Sequence, residues 1–150
     1  MIHPYPDDLI ALQNQFGVEP GEITISPAQH HAFAKYVKEE LGYTLYVTVV
    51  GSHWPQEEEP DLFEVATVLR KPSTPSAIIR WRVPLKDEES IDSLADLFAG
   101  ADWQEREQFD LLGITFAKHP DLRRLMMSED WDGHPLRKSY AIDTPHHPWR

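Results

Sequence analysis

Three β-rich stretches lie in the middle of the chain. Residues 43–50 read YTLYVTVV, residues 62–69 read LFEVATVL and residues 77–83 read AIIRWRV. Each stretch alternates aromatic or branched residues with smaller or polar ones, which is the pattern of a strand with one buried face. Residues 71–75 are compatible with a hairpin between the second and third strands, whereas residues 51–60, which include three consecutive glutamates, are expected to form a solvated loop. The sequence therefore predicts a sheet built around three neighbouring strands.

Helical patterns flank these strands on the amino-terminal side. Residues 7–16 have a helix-like apolar spacing, and Gly17 is a plausible stop. A short strand is predicted at residues 23–25. Ser26 and Gln29 form a capping-box pair with proline between them, which predicts a helix that begins there and ends at Leu41, before Gly42.

On the carboxyl-terminal side, a short helix is predicted to open at Ser90 or Asp92 and to end near Gly100. Asp102 and Glu105 form a second capping pair before a helix over residues 103–112, with Gly113 as its stop. The order of elements predicts an α+β fold: a single domain with a small, mostly antiparallel sheet packed with helices and an irregular C-terminal tail. We assign the domain to residues 1–140 and the extended tail to residues 141–150.

Composition excludes several classes of function. The 150 residues carry 14 Lys and Arg against 25 Asp and Glu, a net charge of −11, which argues against nucleic-acid binding. The chain has no cysteine, so disulfides, thiolate nucleophiles and cysteine-held iron–sulfur clusters are excluded. No apolar run approaches the roughly 20 residues that cross a bilayer, and the first residues lack the pattern of a signal peptide. We expect a soluble, cytoplasmic protein.

Histidines are the first candidates for an active site, but their spacing is unfavourable. His30 and His31 are adjacent in a predicted helix and point about 100° apart, and His146 and His147 lie in a proline-flanked tail. A metal site that combines His119 and His134 with Asp110 or Asp121 is a minor alternative to structural hydrogen bonding. No nucleophile elbow and no glycine-rich phosphate loop are present. The residues indicate no catalytic centre.

Residues 103–140 are the densest part of the chain in charged and aromatic side chains. The predicted helix carries acids one turn apart that repel, so basic side chains should compensate for them. An intramolecular salt-bridge network is one interpretation, and a docking surface is the other, because arginine suits interfacial carboxylates and carbonyls. Large apolar side chains that suit an interface or a core lie in or after this segment. The basic candidates are Arg106, Arg123, Arg124, Arg137 and Lys138, and the apolar ones are Met126, Met127, Trp131 and Trp149.

Two blocks of this segment resemble the signature of a known family. Residues 105–107 (ERE), 109–114 (FDLLGI) and 119–125 (HPDLRRL), followed by residues 131–140 (WDGHPLRKSY), resemble the 30-kDa subunit of respiratory NADH–quinone oxidoreductase, complex I. Departures are few: Lys118 stands where the family often has glycine, and residues 139–141 replace a usual Asp-Tyr-Pro. The positions that match the family motif are Glu105, Arg106, Glu107, Asp110, Gly113, His119, Pro120, Leu122, Arg123, Arg124, Gly133, His134, Pro135, Arg137, Lys138 and Tyr140.

The resemblance implies a cofactor-free scaffold subunit of the hydrophilic arm, with FMN and iron–sulfur clusters held elsewhere in the parent complex. The implied partners are the large quinone-pocket subunit and the subunit that carries the terminal iron–sulfur cluster. We therefore expect a peripheral subunit of an enzyme that couples NADH oxidation to quinone reduction and proton translocation, with no catalytic centre of its own. The alternatives are the equivalent subunit of a membrane-bound hydrogenase, formate hydrogenlyase or ferredoxin-dependent complex, and, more distantly, a free-standing metal-dependent enzyme. The charged lattice expected to bind the partners comprises Glu105, Arg106, Glu107, Asp110, Arg123, Arg124 and Arg137.

Overall fold

The structure is a computed structural model that describes residues 6–19, 21–56 and 62–141. Its central sheet has four strands, β1 (Ile23–Thr24), β2 (Leu45–Trp54), β3 (Leu62–Arg70) and β4 (Ile78–Lys86). They lie in the order β1-β4-β3-β2; β1 runs parallel to β4, and the other pairs are antiparallel. The predicted α+β fold with a mostly antiparallel sheet is confirmed.

One face of the sheet carries the core. Alternate residues of β3 and β4 point inward, because side chains alternate between the two faces of a strand. Two helices, α1 (Pro6–Phe16) and α2 (His30–Glu39), cover this face, and the ring of Phe33 in α2 lies 5.2 Å from that of Trp81 in β4. The inward apolar residues that are fully buried are Val65, Leu69, Ile79, Trp81 and Val83, and Thr67 between them is equally buried.

The start of α2 differs from the prediction. Residues Pro27–Gln29 form a 3-10 turn before the α-helix, and Gln29 N–H donates to the carbonyl of Ser26 at 3.0 Å. The Ser26 hydroxyl contacts the Gln29 side-chain oxygen at 2.9 Å and caps no backbone N–H. The predicted capping box is therefore wrong in its contacts, and the helix ends at Glu39, two residues before the predicted end.

The strand β2 extends further than predicted, because Gly51 continues the strand. Gly51 pairs with Val65 of β3, and a Cβ on it would lie only 2.7 Å from the terminal methyl carbons of Leu112 and Ile114. Glycine is needed here because another part of the chain packs directly on the strand. The loop predicted over residues 51–60 is thus wrong for its first four residues, and its three glutamates lie outside the described residues.

The segment after β4 differs most from the prediction. Ser90–Asp92 form a strand, β5, that pairs in parallel with β6 (Thr115–Ala117), and the predicted short helix is absent from residues 90–100. A single turn remains, in which the Leu97 and Phe98 N–H groups both donate to the Leu94 carbonyl. Leu94 and Phe98 are both buried. Their spacing of four residues, which predicted a helix, is explained by a single buried turn.

The third helix, α3 (Ala101–Leu112), covers the open edge of the sheet. Strand β2 is the edge strand, and its outward N–H groups at Val49 and Gly51 donate to the side-chain oxygens of Gln104 and Gln108 at 2.9 and 2.8 Å. Two glutamines one turn apart thereby satisfy backbone N–H groups that would otherwise be free to pair with a strand of another chain. No helix in the described ranges has the length and apolar character needed to cross a membrane.

Candidate functional site: the carboxyl-terminal junction

Asp110, in the last turn of α3, is the centre of the charged segment. Its side chain is 0% exposed, and Oδ1 accepts a hydrogen bond from Arg124 Nη1 at 2.8 Å. The other oxygen accepts three successive backbone N–H groups, from Leu125 (2.9 Å), Met126 (2.7 Å) and Met127 (2.9 Å). Consecutive N–H groups that converge on one anion form a strong binding concavity. Burial opposes ionisation, but these hydrogen bonds outweigh it and lower the pKa of Asp110 to about 2.

Arg124 connects three parts of the chain through one planar guanidinium. Besides the Asp110 carboxylate, it donates to the carbonyls of Trp131 (2.9 Å) and Gly133 (3.0 Å). The carboxylate and both carbonyls are acceptors, which suits the two terminal nitrogens of the arginine fork. Arg124 thereby fixes residues 131–133 against the end of α3.

The segment after Gly133 caps the carboxyl end of α3. The last carbonyls of a helix have no partner within it. Here the Asp110 carbonyl is bound by His134 Nδ1 at 2.9 Å, the Leu111 carbonyl by the Leu136 N–H at 2.9 Å, and the Leu112 carbonyl by Arg137 Nε at 2.7 Å. We call α3 together with residues 118–140 the carboxyl-terminal junction.

Two glycines allow the side chains of the carboxyl-terminal junction to pack closely against its backbone. Gly113, the predicted stop of α3, has φ +77°, and a Cβ there would lie 2.6 Å from His134 Cδ2 and from Arg137 Nη2. Gly133 has φ +79°, and its Cβ would lie 2.9 Å from the ring of Tyr140. Both positions combine a left-handed backbone with a close approach, which only glycine accommodates without strain.

The junction is also tied to the sheet. The Lys138 N–H donates to His53 Nδ1 at 2.8 Å, and the His53 ring stacks on Phe63 at 4.6 Å. The Arg137 guanidinium lies 4.9 Å above the same Phe63 ring, and its Nη1 is 3.3 Å from Asp87 Oδ1. Two residues of the second motif block therefore anchor the carboxyl-terminal segment on strands β2 and β3.

The first motif block divides between two sides of α3. Arg106 is buried, and it donates to the carbonyls of Arg123 and Arg124 at 3.3 Å while lying 5.2 Å over the ring of Trp103. Glu105 points the other way and binds the turn that follows β5. Asp102 and Glu105 therefore do not form the predicted capping pair, since α3 begins at Ala101 and Gly100 is its N-cap.

The remaining predicted residues lie at the rim of this arrangement. Arg123 is exposed and pairs with Asp121 at 2.9 Å, whereas Glu107 is half-buried. Leu122 packs partly against the core. The structure thus brings several of the predicted motif residues into contact with one another within the chain. That the motif residues bind partner subunits stays a prediction. The members in mutual contact are Asp110, Gly113, Arg124, Gly133, His134 and Arg137, while Pro120 and Lys138 are exposed and Pro135 is half-buried.

The histidines considered as metal ligands are occupied by the fold. His119 Nδ1 accepts the Asp121 N–H at 3.0 Å, and its Nε2 faces the Asp102 carbonyl at 3.1 Å. His134 Nδ1 faces a helix carbonyl, as described above. Within residues 6–19, 21–56 and 62–141, no three His, Asp or Glu side chains are placed to hold a metal ion. His146 and His147 lie outside the described residues.

His30 and His31 diverge as predicted. His30 is buried and accepts a hydrogen bond from the indole of Trp81 at 3.1 Å. Burial, reinforced by the neighbouring His31, lowers the pKa of His30 to about 3. His31 instead contacts Asp96 at 2.9 Å near the surface.

Large apolar side chains surround the junction and remain exposed. Trp103 is 62% exposed, Met126 61% and Leu136 57%. A cleft of about 670 Å³ separates the end of β2 from the carboxyl-terminal segment, and Trp54 and Leu136 line it. The sequence indicated Met126 and Trp131 as interface candidates, whereas the exposure of Trp103 emerges only from the structure.

Comparison with known proteins decides the family. A family model described as "Respiratory-chain NADH dehydrogenase, 30 Kd subunit" matches residues 23–146, which include both motif blocks. The chain belongs to this family. The predicted resemblance is thereby confirmed.

Curated relatives and a solved structure agree with this assignment. An NADH-quinone oxidoreductase subunit of Geobacter sulfurreducens is 36% identical over 127 residues, covering 83% of this chain and 78% of its own length. The subunit of the same name from Geotalea uraniireducens is 38% identical over 128 residues, with 83% and 76% covered. A solved trypsin-resistant fragment of Nqo5 superposes with a TM-score of 0.61 at 21% identity, covering 77% of this chain and 98% of the fragment. At that identity the structural likeness supports the fold.

Proposed function

We propose that this chain is a cofactor-free scaffold subunit of the hydrophilic arm of an NADH–quinone oxidoreductase. The observation that supports this proposal is the set of hydrogen bonds that the motif residues make within the chain. Asp110, Arg124, His134 and Arg137 direct their hydrogen-bonding groups at one another and at the end of α3. Groups that are saturated in this way hold a shape and are poorly suited to bind a substrate.

The side chains that face outward beside this cluster suit protein contact. Trp103, Met126, Trp131 and Leu136 are large and exposed, and aromatic residues and methionine are enriched in interfaces. The partner that we propose for this apolar surface is the large quinone-pocket subunit. The subunit that holds the terminal iron–sulfur cluster would lie nearby. The relatives named as subunits of NADH-quinone oxidoreductase support this choice.

The contribution of such a subunit is positional. In the parent complex, electrons pass from NADH through FMN and iron–sulfur centres to quinone, coupled to proton translocation, and this chain would bind none of those groups. A rigid support preserves the geometry on which neighbouring sites depend. We propose a peripheral location on the cytoplasmic side of the membrane, reached through the complex.

A native pull-down from solubilised membranes tests the proposal. A tag on the amino terminus should recover the quinone-pocket subunit together with the flavin-bearing subunits. Trp103→Asp should reduce that recovery at least tenfold, while Ile10→Asp, which alters a residue 55% exposed on α1, should not. Recovery of a nickel-bearing large subunit instead would indicate a hydrogenase-type complex. A protein recovered alone, with bound metal, would contradict the scaffold function.

A further inference from the structure

Glu105 is a carboxylate of α3 whose hydrogen bonds go to the turn after β5 and not to residues 118–140. It lies on the opposite side of α3 from Arg106 and is 1% exposed. One oxygen accepts the Leu94 N–H at 2.8 Å, and the other lies 2.5 Å from the Ser93 hydroxyl. That hydroxyl also accepts the Ala95 N–H at 3.0 Å; it donates its proton to the ionised carboxylate, and with its second lone pair it accepts the O–H of the neutral carboxyl.

No cation compensates for this buried group among the described residues. The nearest basic side chain is His119, whose Nε2 is 4.0 Å from Glu105 Oε2. Its Nδ1 accepts the Asp121 N–H, so the ring proton is placed on Nε2, toward the Asp102 carbonyl. Ionised Glu105 would therefore be a buried charge without an ion pair, which is costly.

Two acidic side chains near Glu105 add negative charge, and Lys38 of α2 donates to the Leu97 carbonyl of the same turn at 2.5 Å. Asp102 lies one turn before it on α3, and Asp96, which pairs with His31 of α2, lies on the turn that Glu105 binds. From β2, the buried Tyr46 hydroxyl faces the same region, and burial, with the charge of Glu105, raises the pKa of Tyr46. Asp92 on β5 is neutralised by Lys118 at 2.7 Å.

Burial therefore raises the pKa of Glu105 to about 7; hydrogen bonds from Ser93 and Leu94 oppose the shift, and Asp102 and Asp96 add to it. The unfolded or opened chain would have the ordinary value of 4.5. Glu105 therefore holds a proton while residues 93–100 cover it (the closed form). Between pH 4.5 and about 7, the same carboxyl is ionised once this turn has opened (the opened form). Stability of the closed form is present in full at low pH and is lost as the pH rises through 7.

We propose that Glu105 is a buried proton-binding site that makes residues 93–100 a pH-sensitive latch on α3. With the proton bound, the neutral carboxyl remains enclosed under the turn. When the proton leaves to solvent, the uncompensated carboxylate favours opening of the turn, because opening hydrates the charge.

Two measurements on the full chain test the latch. The first follows the Glu105 Cδ resonance by ¹³C NMR from pH 5 to pH 9, assigned in the wild type by through-bond correlation to its backbone amide, and should give a midpoint near 7. The second follows hydrogen exchange of the Leu94 amide, corrected for its intrinsic rate. Opening should increase roughly 70-fold between pH 5 and pH 8.5 in the wild type and stay constant in Glu105→Gln.

Two further variants keep the result decisive. Glu107→Gln removes the same charge from the same helix and should retain the wild-type pH dependence of exchange. Ser93→Ala removes one hydrogen bond to the carboxylate and should raise the midpoint of Glu105 further. A Glu105 midpoint below about 5.5, or the same pH dependence of exchange in Glu105→Gln and Glu107→Gln, would overturn the proposal; the wild-type titration decides it even if Glu105→Gln fails to fold.

Discussion

Replacement of Gly113 by alanine is the sharpest test of the carboxyl-terminal junction. Gly113 has φ +77°, and the added Cβ would meet His134 and Arg137 at 2.6 Å. Gly17 offers a matched control, because it has φ +67° and nothing lies within 4 Å of the position of its Cβ. The two substitutions share the backbone strain and differ only in the contacts that the methyl group displaces.

The expected losses of stability follow from the backbone strain and from the displaced contacts. A left-handed backbone costs an L-residue about 1–2 kcal/mol, and this is the whole cost at Gly17. At Gly113, displacement of His134 and Arg137 also weakens their bonds to the carbonyls of Asp110 and Leu112, each worth about 1 kcal/mol. We therefore expect Gly113→Ala to cost about 3–4 kcal/mol in the free energy of unfolding.

Urea unfolding of the two purified variants beside the wild type measures both values. In thermal unfolding, Gly113→Ala should lower Tm by roughly 10 °C, more than twice the loss from Gly17→Ala. Equal losses in the two variants would mean that the contacts around Gly113 contribute nothing to stability. That result would refute the description of the junction as a cap on α3.

Three other predictions concern single residues. Because the pKa of Asp110 is lowered to about 2 from 3.8, its ionised form should contribute about 2 kcal/mol above pH 5 that is lost as the pH falls toward 2; acid unfolding of Asp110→Asn should lack this component. Lys118 has φ +63° and an exposed ion pair with Asp92, so Lys118→Gly should be about 1 kcal/mol more stable than Lys118→Ala in urea, since both lose the pair and only glycine relieves the backbone. Gln108→Ala leaves the Gly51 N–H without its acceptor and should cost about 1 kcal/mol, with increased self-association by light scattering because the β2 edge is uncovered.

Long, periodic elements could be read from the sequence. The alternation in residues 43–83 reflects one buried face, so β2, β3 and β4 were predictable, and Gly113 was recognised as the end of α3 because a left-handed residue commonly follows a helix. The family departure at Lys118 also has a physical explanation: its φ of +63° is the kind of position where glycine is favoured.

Short elements and long-range contacts could not be read from local patterns. β5 and β6 have three residues each, too few to show a period, and they pair across an intervening helix. The donors to Asp110 lie on an irregular segment 14–17 residues beyond it, and the carbonyl acceptors of Arg124 lie 7 and 9 residues further along, where no periodicity constrains them. The need for compensating charge was predictable from the acids on α3, whereas the choice of Arg124 as the partner of Asp110 was not.

The central claim is that this chain contributes shape to its complex. Arg124→Ala removes a guanidinium that binds the Asp110 carboxylate and two carbonyls, at a cost of about 3 kcal/mol. Arg80→Ala, which removes an exposed pair between β4 and Glu22, outside the family motif, is the control and should cost less than about 1 kcal/mol.

The direct measurement is the number of assembled complexes and the quinone-reductase turnover of each one, in membranes that carry either variant. The account predicts fewer complexes for Arg124→Ala, with unchanged turnover per complex, and no change for Arg80→Ala. A normal number of Arg124→Ala complexes with reduced turnover would contradict it.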